Sequence, residues 1–174
     1  MAYNTLKVFG IGLTRTGTTS LAAAMQQVGY RVVHYPTRDD LFEGLYDSAY
    51  DLSVVIDYKA LDQFFPGSKF IYTAREKNSW LDSMEQYLEH RRTRSKQQCV
   101  NRVLVYGQSS FDRKIYSFAY DRHHNAVLAY FKTRPQDLLV LNICGGEGWR
   151  PLLSFLDIEA SVDGFPRKHQ QSYN

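Results

Sequence analysis

Val8-Phe9-Gly10-Ile11-Gly12-Leu13-Thr14-Arg15-Thr16-Gly17-Thr18-Thr19-Ser20-Leu21 opens as an apolar run of the kind that forms a short buried strand. It passes through a turn rich in glycine and threonine, then continues into Leu21-Ala22-Ala23-Ala24-Met25, a good helix former. Strand, Gly-rich turn and helix is the context a phosphate-binding loop requires. Successive backbone N–H groups of such a loop face one concavity, and the helix N-terminus adds partial positive charge. Gly12 and Gly17 have the spacing of the P-loop pattern, and Thr19 fills its terminal Ser/Thr position. The Lys that should follow Gly17 is Thr18. That Lys serves the β- and γ-phosphates of a triphosphate, so its replacement points to a ligand with fewer phosphates in the cradle. The nearest cation is Arg15, within the loop. The plain alternative is a turn without a ligand, although so many Thr, Gly and Ser residues make a costly, flexible turn.

The rest of the chain fits one strand-helix alternation. Tyr30–Tyr35 reads as a second strand ended by Pro36, and Thr37 to Leu45 as a short helix. Leu52–Asp57 reads as a buried strand, Ala60–Phe65 as a short helical segment closed by Pro66-Gly67, and Lys69–Thr73 as a further strand. Long helices are predicted over about 78–96 and 111–132, a last strand over Asp137–Asn142, and a closing helix over Glu147–Leu156. The expectation is an α/β fold: a three-layer P-loop-type domain with a parallel sheet of about five strands and helices on both faces. Ligands of such sheets lie beyond the carboxyl ends of the strands. Gly12–Thr19, His34, Asp57 and Arg75 are therefore expected to converge on one edge.

Composition sets bounds on function. The 174 residues imply a single domain, 1–174, and the net charge of +3 suits an anionic small ligand without demanding nucleic acid. Cys99 and Cys144 have no metal or redox spacing, which implies free thiols in a reducing compartment and a cytoplasmic location. No apolar stretch is long enough to span a bilayer, and the N-terminus lacks the pattern of a signal peptide.

A second anchor is Tyr72-Thr73-Ala74-Arg75-Glu76-Lys77-Asn78-Ser79-Trp80-Leu81-Asp82-Ser83. Arg75 lies just past a strand end and Ser83 in the helix that follows, so a charged fork and a hydroxyl can meet one anion. Alone, the pair is equally a surface ion pair and a helix-surface serine. Together, the two stretches resemble the sulfotransferases that use 3′-phosphoadenosine 5′-phosphosulfate, PAPS, in the bacterial and Golgi-type branches with an Arg-Thr-Gly-Thr-Thr-Ser loop. Arg15-Thr16-Gly17-Thr18-Thr19-Ser20 matches the loop that holds the 5′-phosphosulfate, and Arg75 and Ser83 match the Arg and Ser that hold the 3′-phosphate. Phe65-Pro66-Gly67-Ser68-Lys69-Phe70-Ile71 and Gly148-Trp149-Arg150-Pro151-Leu152 extend the likeness, which covers about residues 6–168. Ser20 stands where the cytosolic branch carries an adenine-stacking Trp. The basic segment that clamps the 3′-phosphate is reduced to Phe165-Pro166-Arg167-Lys168.

The resemblance implies in-line sulfuryl transfer from PAPS to an acceptor hydroxyl or amine, without a metal. The cofactor-binding residues would be Thr14, Arg15, Thr16, Gly17, Thr18, Thr19, Ser20, Arg75, Ser83 and Arg167. Arg15 would stabilise the leaving group, and Asp57 or His34 would take the acceptor proton. Two other readings stay open. Val54-Val55-Ile56-Asp57 also looks like a magnesium-holding strand, which would make a nucleotide kinase or NTPase, and the site could belong to a nucleotide-binding protein without turnover. The acceptor is a small molecule or a carbohydrate. The basic run His90–Lys96 suits an acidic acceptor or is simply a solvated helix end, and the sequence leaves the oligomeric state open.

Overall fold

The computed structural model describes residues 6–90 and 95–168. The strands are β1 (Val8–Gly10), β2 (Val32–His34), β3 (Ser48–Tyr50), β4 (Lys69–Thr73) and β5 (Leu138–Leu141). The helices are α1 (Thr18–Gln27), α2 (Arg38–Phe42), α3 (Leu52–Phe64), α4 (Lys77–His90), α5 (Lys96–Tyr106), α6 (Arg113–Tyr130) and α7 (Trp149–Leu156). All strand pairs are parallel, in the order β2-β3-β1-β4-β5. The expected α/β sheet of five strands with helices on both faces is therefore present. β1 is central, and the chain leaves it toward β2 and β3 on one side and β4 and β5 on the other. This is the topological switch at which a crevice opens beyond the strand ends.

The alternation of side chains along the strands builds both faces. Val8 and Ile71 point to the face covered by α1 and α7, where they pack with Leu21, Met25, Leu152 and Leu156. Phe9, Ile11, Phe70 and Tyr72 point to the opposite face, against Val54, Tyr58 and Leu61 of α3, Val127 of α6 and Phe131 at its end. A third apolar cluster lies past the strand ends, where Trp80 and Met84 of α4 meet Val105 and Tyr106 of α5 and Tyr116 of α6. It forms the floor of the candidate site.

Residues 52–57 are the first turns of α3, not the expected strand. Short apolar runs do not distinguish a strand from a buried helix. The deciding pattern is Val54, Tyr58 and Leu61 on the sheet face with Leu52 and Val55 on the third cluster, a helical spacing that serves two cores at once. The strand beside β1 is instead Ser48–Tyr50, whose Ser48 hydroxyl donates to the Val8 carbonyl at 2.7 Å. The helix expected over 78–96 ends at His90, and Ser95 caps a separate α5 by accepting from the Gln98 N–H. Of the basic run 90–96, residues 91–94 lie outside the described residues.

One ion pair ties the start of β2 to the start of β3. Asp47 is buried, and Arg31 donates to it through Nε at 2.7 Å and Nη2 at 2.8 Å. The Arg31 guanidinium holds the Asp47 carboxyl below the usual carboxylate range, against the opposing effect of burial. A lowered folded value means that this stabilisation is present above pH about 4 and is lost as the pH falls through the lowered value. Because Arg31 is half exposed, Asp47→Asn is expected to cost about 1.5–3 kcal/mol, the scale of a charged hydrogen bond rather than of a sealed ion pair. Urea unfolding at pH 7 measures this loss, and the gap between the two proteins should close below pH 4.

Candidate active site

The loop between β1 and α1 is held from below by side chains of α4, α5, α6 and β4. Trp80 Nε1 donates to the Thr14 carbonyl at 2.8 Å, and the Thr14 N–H donates to the Tyr106 hydroxyl at 3.1 Å. His123 Nε2 donates to the Ile11 carbonyl at 2.8 Å, and burial lowers the pKa of this imidazole. Thr16 Oγ1 donates to the Leu13 carbonyl at 2.7 Å. Its one proton is thereby used, so at 2.7 Å from Thr16 Oγ1 the Thr73 hydroxyl is the donor. A Cβ on Gly12 would fall 1.8 Å from Thr73 Oγ1, which is why the loop can pass over the end of β4 only with glycine there.

Arg15 and Gly17 both have positive φ, 70° and 102°. Together they turn the chain so that α1 starts at Thr18 with no side-chain cap and no acidic residue in its first turn. The helix dipole therefore favours an anion at this end. The loop opens onto a cavity of about 960 Å³ that Thr14, Arg15, Gly17, Thr18, Thr19 and Ser20 help to line. Thr16 is 1 % exposed and does not line it.

Arg75, Ser83, His34 and Arg167 line the same cavity. Arg75 follows β4. Its Nη1 donates to the Arg15 carbonyl at 3.1 Å, and its Nε and Nη2 share the Ser79 hydroxyl at 3.1 and 2.9 Å. Ser83 sits a turn further along α4, where its Oγ accepts from Arg15 Nε at 3.2 Å. Its hydroxyl proton thus remains available for another acceptor. Arg167 is fastened to the turn after β5, donating to the carbonyls of Ile143 at 3.1 Å and Gly146 at 3.3 Å. The Ser20 hydroxyl accepts from the Lys168 backbone N–H at 2.9 Å, which ties the C-terminal segment to the mouth of the loop.

Asp57 is not brought to this cavity. It lies in the second turn of α3, where it accepts from Arg38 Nε at 3.1 Å. The carboxylate at the relevant strand end is Asp51, which follows β3 and lines the cavity. Its φ of 129° with ψ of −178° is a conformation that only glycine adopts readily, and strain of this kind collects at functional sites. His34 stands opposite Tyr50 in the parallel register, so His34 and Asp51 occupy neighbouring strand ends. Asp51 is not legible in the sequence because the apolar run after it has the composition of a strand, which puts the strand end at Asp57. The sequence likewise carries little sign of Gln98, Asn101 and Arg102 of α5, which line the far wall with Tyr87 of α4. Only the spacing of Gln98, Asn101 and Arg102 on one helix face signalled them, and α5 itself was not anticipated.

The family model of the sulfotransferase domain matches residues 7–39 and 37–173. The chain belongs to the sulfotransferase domain family. A curated relative, Ava biosynthesis cluster protein M from Aspergillus versicolor, is 24% identical across 97% of this chain and 86% of its own length. For this sulfotransferase domain, a transferase activity on a small-molecule acceptor follows. Among its described residues, no group of His, Cys, Asp and Glu is arranged to hold a metal ion, and no helix is long and apolar enough to cross a membrane.

Proposed function

We propose that the protein transfers a sulfuryl group from PAPS to a hydroxyl or amine of a small molecule. The observation that carries this reading is the convergence of an uncapped helix N-terminus, Arg15, Arg75, Ser83 and Arg167 on one cavity. The donor set fits the cofactor: it is cationic, rich in N–H and O–H groups, and divided between two anion positions. Backbone N–H groups of Gly17–Ser20 and the hydroxyls of Thr18 and Thr19 would hold the 5′-phosphate. Arg75, the free proton of Ser83 and Arg167 would hold the 3′-phosphate. When bound, PAPS supplies an activated sulfonate on a phosphate leaving group.

The residues of the chain then have distinct tasks. Arg15 stabilises charge that develops on the leaving oxygen, a role its bond to Ser83 and its seat over the Tyr87 ring, 5.4 Å from the centroid, help to preorganise. Asp51 takes the acceptor proton, with His34 beside it as the alternative base. That the relative is named for a biosynthesis cluster supports a small-molecule acceptor.

The test is recognition of the 3′-phosphate, a group that the common nucleotides lack. The protein is expected to bind adenosine 3′,5′-bisphosphate at least tenfold more tightly than AMP, since one charge-assisted hydrogen bond contributes roughly ten- to a hundredfold. Arg75→Ala should erase most of that preference while leaving AMP binding nearly unchanged, and Ser83→Ala should do so more weakly. Calorimetry with both nucleotides, with and without chelator, measures it. Equal affinities in the wild type would sink the reading. Magnesium-dependent ATP binding in its place would favour a nucleotide kinase or NTPase.

A further inference from the structure

The cavity extends past the residues assigned to the nucleotide, to a wall built by α4 and α5. Arg102 stands there, 3 % exposed and among the lining residues. Its Nη1 is buried and has no hydrogen-bond partner among the described residues. Every Asp and Glu of the chain is among the described residues, and Arg102 forms an ion pair with none of them. Asp82, which lines the same cavity, pairs with Arg113 instead. A buried guanidinium without a carboxylate beside it carries a desolvation cost. It is also held in place: its guanidinium lies over the Tyr87 ring, 5.8 Å from the centroid, and Arg15 lies over that same ring. Asn101, one residue before it and 8 % exposed, adds an amide to the same wall and is oriented by a bond from Gln97.

We propose that this wall is the acceptor subsite and that Arg102 receives an oxyanion of the acceptor, in the simplest case a carboxylate, so that the substrate class is an anionic small molecule bearing a hydroxyl or amine. A planar carboxylate matches the guanidinium fork. Arg102 then fixes one end of the acceptor at the α4–α5 wall while the nucleophilic end reaches Asp51 and His34 at the strand ends. This inference rests on the sulfotransferase reading for its account of why an acceptor should bind here, but the anion site itself does not.

The sulfonate of the donor is also an oxyanion, and the experiment separates the two sources. Benzoate is the probe for the carboxylate and benzamide its neutral counterpart. Each is titrated by calorimetry into the wild type, with and without saturating adenosine 3′,5′-bisphosphate. The expected result is benzoate bound about ten- to a hundredfold more tightly than benzamide. This preference should be lost in Arg102→Gln and partly kept in Arg102→Lys, both checked for folding by thermal melts. Equal binding of the two probes by the wild type overturns the proposal without reference to any variant. It is also overturned if folded Arg102→Gln keeps the preference for benzoate. A third contrary result is a selective loss of PAPS affinity relative to the bisphosphate in Arg102→Gln with the benzoate preference intact, which would give Arg102 to the donor sulfonate. A wild type that prefers benzoate but does not distinguish the bisphosphate from AMP would retain the anion subsite and remove the sulfotransferase reading.

Discussion

Asp51→Asn is expected to lower turnover by roughly 10²–10⁴, the range for loss of a positioned general base, while nucleotide affinity stays close to that of the wild type. The substitution keeps the shape of the side chain and removes its capacity to take a proton. Asp51 follows β3 directly, lines the cavity, and is held at a φ of 129° that an unconstrained aspartate would leave. Asp57→Asn is the control. Asp57 is turned to Arg38 on the outside of α3, and its loss should leave turnover within a few-fold of wild type, as is usual where an exposed ion pair is removed. Steady-state rates with a working acceptor, paired with bisphosphate titrations, measure both. If His34→Asn shows the large loss and Asp51→Asn does not, the proton goes to His34. A large loss in Asp57→Asn would return the role to the residue that the sequence alone favoured.

Arg15→Ala is expected to depress kcat by about 10²–10³ with a much smaller loss of nucleotide affinity, because the charge it meets is larger in the transition state than in the ground state. Alanine at this position keeps a Cβ and so keeps the cost of the positive φ, which isolates the guanidinium from the backbone. Arg15→Lys should recover part of the rate. An ammonium supplies the charge, but it lacks the fork that gives Nε to Ser83 and leaves the remaining N–H groups toward the cavity. Equal losses in kcat and affinity would make Arg15 a binding residue only. Ser83→Ala is informative in the same assay, since it frees the Arg15 side chain without removing its charge. A kcat loss there would report positioning of Arg15, and a loss confined to bisphosphate affinity would report the 3′-phosphate.

Much of this molecule was legible in local pattern. The loop from Gly12 to Thr19 is determined by its glycines: Gly12 because the Thr73 hydroxyl occupies the space of a Cβ, and Gly17 because its φ of 102° would strain any other residue. Its neighbours β4 and β5, the long α6 and the closing α7 follow from runs of strand or helix formers bounded by Pro, Gly and capping residues, which act within a few residues of themselves. The order of strand, Gly-rich turn and helix, followed by further alternation, was enough to imply a parallel sheet and the edge on which the site would lie.

Tertiary structure decided what short range could not. Leu52–Asp57 has the composition of a strand, yet it is helical because Val54, Tyr58 and Leu61 must reach the sheet while Leu52 and Val55 reach the cluster around Trp80. That choice shifts the strand end from Asp57 to Asp51, and with it the carboxylate at the cavity. Ser83 looked like a ligand for phosphate alone, but its oxygen first orients Arg15, a contact across 68 residues. Arg102 carried no signal beyond its place on a helix face, because a charge becomes informative only when packing buries it without a carboxylate beside it. Local sequence determined the β1–α1 loop through backbone conformations that individual residues allow or forbid. Long-range packing determined which acid and which buried cation share its cavity, because burial and pairing are properties of neighbours that the chain order does not name.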